Sequence, residues 1–446
     1  MTALIKALQV ILALSLLILI HESGHYFFAK LFRIRVDKFF LFFDVGGRKL
    51  FSTKTTRWFA RLFPKAAAAE TEYGIGWLPL GGYCKINGMV DESMDMDALK
   101  SEPKPWEFRS HPAWQRLLVM AGGVLFNFIA AILIYTGLLA SHGETFIANN
   151  DTPLYVNDLS YEMGFRTGDR VLLYDDWHPE DFSTLQSDLA RRSVSRVTLL
   201  RGADTVVLYI DRSMIGRVLN TPGMFDLALP FVIDSVMAGG PNDGGALLRG
   251  DRICALDSQR VEWMQDGRAI LSGFKGREVQ AQVMRDGSML DMTLQVDTLG
   301  RLGVFTRMPE VSHRNYNILT AIPAGFRFTF NMIGDYVRDL RLVATPSTQA
   351  YKSVGSFIAI GQVFPSNWNW LEFVYLLGLL SIMLGVMNLI PIPGLDGGHI
   401  LFTLYEMVTG RKPSDRFMYI MQIIGMILIF ALMFLAFGND IGRLIK

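Results

Sequence analysis

Apolar residues crowd into four stretches of this chain and thin out between them. Residues 3–32, 117–139, 370–390 and 417–437 are each long and apolar enough to cross a bilayer, which takes about 20 such residues. Between the second and third stretches the pattern changes to short β-rich runs separated by turns, over residues 143–307. Two segments there echo one another. Gly164-Phe165-Arg166-Thr167-Gly168-Asp169-Arg170-Val171-Leu172 is matched by Ala246-Leu247-Leu248-Arg249-Gly250-Asp251-Arg252-Ile253-Cys254, and strand-like residues follow each, at 197–210 and 279–296. The echo predicts two tandem β-rich modules of about 80 residues. Residues 317–362 are amphipathic and mostly helical in pattern, with Arg327, Arg338 and Arg341 among Phe326, Phe328, Phe330, Met332 and Ile333. Such a segment suits the outer membrane surface, joining the modules to the third span.

Charge then orients the spans. The loop after the first carries Lys30, Arg33, Arg35, Lys38, Arg48, Lys49, Lys54, Arg57, Arg61 and Lys65, and the loop before the fourth carries Arg411, Lys412 and Arg416. The positive-inside rule makes both loops cytoplasmic and puts both termini and the β-rich region on the outer side. The first span has only Lys6 ahead of it and no small-residue cleavage site, so it is read as retained. Within the first loop, Gly74-Ile75-Gly76-Trp77-Leu78-Pro79-Leu80-Gly81-Gly82-Tyr83 is apolar and broken by glycine and proline. That composition predicts a β-hairpin or re-entrant loop against the membrane core. Residues 89–102 are acidic, and Pro103, Pro105 and Trp106 lead into the second span. The formal charge of +1 gives no support to nucleic-acid binding, and two distant cysteines, Cys84 and Cys254, exclude a disulfide framework.

The chemistry sits inside the first apolar stretch, where His21-Glu22-Ser23-Gly24-His25 interrupts it. Ionisable groups at that depth cost roughly 2.5–3.5 kcal/mol each when charged, so a structural histidine is a poor explanation for them. On a helix His21 and His25 share a face with Glu22 one position round, the H-E-x-x-H arrangement of zinc proteases. A catalytic zinc takes three protein ligands and leaves one position open. The third ligand is expected from Asn388-Leu389-Ile390-Pro391-Ile392-Pro393-Gly394-Leu395-Asp396-Gly397-Gly398-His399, where proline and glycine break the end of the third span and let Asp396 turn back into the bundle. Glu22 is the expected general base toward zinc-bound water attacking a peptide carbonyl, and Asn388 either bonds substrate backbone or caps a helix. Two other classes compete: a membrane scaffold or receptor with no turnover, which leaves Glu22 without a role, and a metal transporter, which wants a second set of intramembrane charges.

These motifs resemble the bacterial site-2 proteases of the RseP type, regulators of the sigma-E response. The match rests on HESGH, the GIGWLPLGGYCKI loop, AGGVLFN at 121–127, the doubled Gly-Asp pattern and NLIPIPGLDGGH, in that order along nearly the whole chain. The resemblance implies a polytopic α-helical membrane protein with four transmembrane helices, a membrane-associated β-hairpin and two tandem PDZ-like domains on the outer face. Its parts would be residues 1–142, 143–222 and 223–308 for the two PDZ-like domains, 309–369 for the amphipathic helices, and 370–446. His21, His25 and Asp396 match the zinc ligands, Glu22 the catalytic glutamate, and Asn388, Pro391 and Pro393 the substrate-handling segment. Gly74, Ile75, Gly76, Gly81 and Gly82 fall in the loop that would offer an edge to an extended substrate. The family implies regulated intramembrane proteolysis in the bacterial inner membrane, on single-span proteins such as anti-sigma factors or signal-peptide remnants, with the PDZ-like pair as a size filter. The aromatic and basic residues 39–69 stand outside that pattern.

Overall fold

The computed structural model describes residues 2–79, 81–89, 102–149 and 152–445. They form two compact units, one built from the chain up to Gly143, Asn315–Ala344 and Ala350 onward, the other from Glu144–Arg314 and Thr345–Gln349. In chain order the helices of the first unit are α1 (Thr2–Leu31), α2 (Arg57–Leu62), α3 (Pro64–Ala67), α4 (Ala113–His142), α5 (Ile318–Val343), α6 (Phe357–Val363), α7 (Trp370–Leu389), α8 (Asp396–Thr409) and α9 (Asp415–Ile445). Among the described residues, four are long and apolar enough to cross a membrane: α1, α4, α7 and residues Arg416–Arg443 of α9. All four predicted spans are therefore helices, and the chain is a multi-pass membrane protein.

Between apolar helices in lipid there is no hydrophobic drive, so close van der Waals packing has to hold them. Helix α1 meets α4 where Gly24 faces Gly122, and a Cβ on Gly24 would overlap the Gly122 carbonyl. Helix α7 is tied to α4 by the Ser381 hydroxyl, which donates to the Asn127 carbonyl at 2.8 Å. Helix α5 starts at an Asn317 cap whose side chain accepts from the amides of Leu319 and Thr320. Its Phe328 ring then packs 4.8 Å from Tyr135 of α4, so this amphipathic helix lays its apolar face along the bundle. Helix α7 stops at Leu389 because Pro391 and Pro393 cannot supply helical N–H donors, and Gly394 turns the chain with φ +98° before α8 starts at Asp396.

The predicted hairpin of residues 74–86 is not what forms. Strands β1 (Val36–Leu41), β2 (Lys49–Ser52), β3 (Glu72–Gly76) and β4 (Tyr83–Ile86) make one sheet in the order β2-β3-β1-β4. β3 runs parallel to β1 on one side, and β4 runs antiparallel to it on the other. Phe39, Phe40 and Leu41 make β1 the most apolar strand, and Val36 and Phe40 are buried, so it takes the centre. Gly74 lies against the Phe40 ring, where any Cβ would collide with it. Residues 39–69, unassigned from the sequence, thus supply half of β1 and all of β2, α2 and α3.

In the second unit the sequence echo becomes a repeated device. Gly168 and Gly250 adopt φ +96° and +92°, which favours glycine, and each is followed by a fully buried aspartate. Asp169 accepts from Nε and Nη2 of Arg201, both at 2.8 Å, and Asp251 from the same atoms of Arg285, both at 2.7 Å. Each arginine closes the first strand of a hairpin, Arg196–Arg201 with Asp204–Tyr209, and Glu278–Arg285 with Ser288–Gln295. The two strand-like runs of the sequence are therefore hairpins clamped onto their own Gly-Asp turns. Glu144–Phe146 pairs with Ser312–Arg314, so the chain enters and leaves this unit side by side. Neither Cys84 nor Cys254 forms a disulfide.

Candidate metal centre and substrate edge

One turn apart on α1, His21 and His25 bring their Nε2 atoms to 3.2 Å, with the rings edge to face at 82°. Asp396, first residue of α8, sets its Oδ2 3.2 Å from His21 Nε2 and 3.3 Å from His25 Nε2. Three donors with zinc bonds of about 2.0–2.1 Å in a tetrahedron stand about 3.3 Å apart, which matches this triangle. The electrostatics agree. Asp396 Oδ2 is buried and makes no hydrogen bond despite its two ring neighbours, so an oxygen with strong acceptor capacity faces the centre of the triangle unsatisfied. A bound cation satisfies it. Room is left by Gly123 of α4, where a Cβ would sit 2.5 Å from His25 Nε2 and 2.6 Å from His21 Cε1. The residues fit zinc.

Ligation requires both Nε2 atoms to be free of protons, and the far side of each ring decides that. His25 Nδ1 donates to the Val119 carbonyl at 2.8 Å, which leaves its Nε2 a bare lone pair. His21 Nδ1 lies 3.1 Å from the side-chain amide of Asn127, itself fully buried. The Asn127 Oδ1 has no partner. A half-turn of that amide lets Oδ1 accept the Nδ1 proton of His21, and His21 Nε2 is then free to ligate. Asn127 and Gly123 both fall in the AGGVLFN motif, to which sequence reasoning gave no role. The available signal was a lone Asn in an apolar span, expensive there unless bonded.

Glu22 stands between the two histidines in sequence and is turned toward the sheet. The backbone N–H of Cys84 in β4 faces its carboxylate. Just before β4, Gly82 approaches α1 so closely that a Cβ would lie 2.5 Å from Ile18 Cγ2. Among the described residues, β4 is an end strand of the sheet, paired with β1. Asn87 N–H points inward to the Arg35 carbonyl, and the two-residue alternation then turns Cys84 outward. Gly74, Ile75 and Gly76 do not share this property: Ile75 pairs with Leu41 on one side and Phe51 on the other. Among the described residues β3 is therefore an inner strand, and β4 is the end strand beside Glu22. Gly81 lies against the Phe43 ring, 2.5 Å from where its Cβ would stand.

The remaining predicted residues lie on the broken segment. Asn388, near the end of α7, is half-buried and has no hydrogen-bond partner among the described residues. Pro391 is exposed, and the Pro393 carbonyl rests on Gly425 of α9 with no space for a side chain between them.

A glutamate beside three side chains that could hold a metal ion, among helices of membrane length, suits a membrane-embedded metallopeptidase. Comparison with known proteins gives the same class: the chain belongs to Peptidase family M50, whose model matches residues 9–432. A Xylella fastidiosa protein named as a zinc metalloprotease is 28% identical, with 97% of each chain covered. Another so named, from Ralstonia nicotianae, is 27% identical over 99% of both. The regulator of sigma-E protease RseP of Salmonella typhimurium is 27% identical, over 97% of this chain and 98% of its own. The protein is a site-2-protease-type metalloendopeptidase that uses zinc.

Proposed function

We propose that the chain cleaves single-span membrane proteins in or beside their membrane segment, with anti-sigma-factor-like proteins and signal-peptide remnants as substrates. His21, His25 and Asp396 hold the zinc ion. Zinc held there supplies Lewis acidity to the scissile carbonyl and to water. Glu22 takes the proton of the attacking water and returns it to the departing amine. A helical substrate hides its amides, so it has to be drawn out. Strand β4, at the end of its sheet among the described residues and beside Glu22, offers an edge where added-strand pairing stabilises the extended form. Asn388, whose amide has no partner among the described residues, bonds the substrate backbone, and Pro391 and Pro393 keep the segment before Asp396 out of the helix. The basic loops favour an inner-membrane orientation with both termini and the β-rich unit outside.

The observation that carries this reading is the donor triangle of 3.2–3.3 Å with its unsatisfied Asp396 oxygen, adjoining Glu22. Glu22→Gln is the test. Retained zinc with cleavage of a model single-span substrate lowered by about 10²- to 10⁴-fold, the usual worth of a general base, supports it. Full turnover in that variant, or a wild type that binds zinc and cuts nothing, would overturn it.

A further inference from the structure

One apolar surface of the first unit has no part in the metal centre. Helices α2 and α3 bury none of their residues. Trp58, Leu62 and Phe63 are 60%, 67% and 54% exposed, and Leu50 of β2 is 71% exposed. They are not scattered. Phe51, Phe59 and Phe63 follow one another at ring distances of 5.2 and 5.1 Å, with Trp58 5.9 Å from Phe59. The same stretch, residues 45–69, holds six cations and no acidic residue. Lys49 is paired with Glu72 at 2.6 Å, and Lys54 donates to the Glu70 carbonyl at 2.9 Å. Arg48, Arg57, Arg61 and Lys65 have no acidic partner among the described residues.

A preformed aromatic cluster ringed by unpaired cations matches the chemistry of an anionic bilayer interface, which takes up aromatic side chains at headgroup level and attracts basic ones. Continuity brings the two together. β1 starts five positions after α1 ends at Leu31, and β2 lies two strands from β1, about 10 Å across the sheet. The cluster is therefore confined near the basic end of a membrane-spanning helix. We propose that residues 48–65 are a lipid anchor: Trp58, Leu62 and Phe63 insert into the leaflet at that end of α1, and Arg48, Arg57, Arg61 and Lys65 bind the phosphates of anionic phospholipid. The anchor holds the far side of the sheet whose other end strand adjoins Glu22. It does not depend on the reaction assigned to the site.

The test uses the full chain with both cysteines replaced by serine and one spin label at Leu62→Cys or, as a water reference, at exposed Glu102→Cys. Vesicles are phosphatidylcholine alone or with phosphatidylglycerol, and collision rates with oxygen and a water-soluble nickel chelate give depth. In phosphatidylglycerol vesicles the label at 62 is expected several-fold richer in oxygen and poorer in nickel collisions than the reference. Arg57→Glu with Arg61→Glu should move it toward the aqueous values. A label at 62 as open to nickel as the reference would overturn the anchor. So would a label shielded from both agents, since a protein partner or second copy then covers the patch. A depth indifferent to phosphatidylglycerol and to the charge reversals would overturn the phosphate contacts.

Discussion

A histidine ligates a cation only through a nitrogen that carries no proton, so the partner of its other nitrogen matters as much as the metal side. His25 is set by a backbone carbonyl, which no substitution removes, whereas His21 depends on the side chain of Asn127. Asn127→Leu is therefore expected to weaken zinc binding by about 10- to 100-fold, the usual effect of losing such a partner. Asn127→Asp, which keeps an acceptor at the same place, should restore most of it. Competition with a chromophoric chelator reads the affinity directly, with no need for turnover. Equal zinc affinity in Asn127→Leu and wild type would mean that His21 is oriented by other contacts. Gly123→Ala tests the room beside the ligands. Its methyl would collide with both rings, so zinc should be lost even though no donor has been altered.

At the scale of elements, the sheet order changes which strand can meet a substrate. Proline at Ile75 breaks ladders on both sides of β3 and so reports on sheet stability alone. Cys84→Pro removes the β4 N–H that faces the Glu22 carboxylate and leaves the inward bonds of its neighbours. One hydrogen bond is worth about 0.5–1.5 kcal/mol net, so kcat/KM for a membrane substrate should fall about two- to tenfold with zinc content unchanged. Unaltered cleavage would mean that β4 does not position Glu22. The packing of α1 on α4 makes a second demand. Because Gly24 touches the Gly122 carbonyl, Gly24→Ala forces the helices apart at the level of the two histidines, and metal content should drop with it.

For the whole molecule, the main part of the second unit, Glu144–Arg314, is an insertion between α4 and α5 whose two connections pair as strands, and Thr345–Gln349 after α5 completes that unit. A short glycine-serine linker can therefore replace residues 144–314 without stretching the helical unit. If that unit filters substrates by size, the shortened protein should cut a single-span substrate whose outer domain is still attached, which the full chain rejects. Continued rejection would leave ordinary peptide capture by the two modules as the better role. The paired Gly-Asp clamps imply that the modules fold by one plan, since each buries its aspartate only with its own arginine.

Much of this protein was legible in one dimension because its signals are local. A bilayer demands about 20 apolar residues in a row, so the four spans show as runs. Helical periodicity puts His21 and His25 on one face, and two prolines end α7 where Asp396 is needed. The doubled Gly-Asp turns were legible too, because a positive φ favours glycine whatever surrounds it. Long-range pairing left no comparable trace. The sheet order was hidden because β1 reads as an aromatic, basic stretch, and only its burial against β3 and β4 makes it central. Asn127 was hidden because its purpose lies on another helix, 106 positions away. Sequence alone determined the four spans and put forward His21, His25 and Asp396, which the fold brings together. The tertiary structure decided which groups face the far nitrogens of the two histidines and which strand lies beside Glu22, since both depend on contacts between elements that periodicity does not encode.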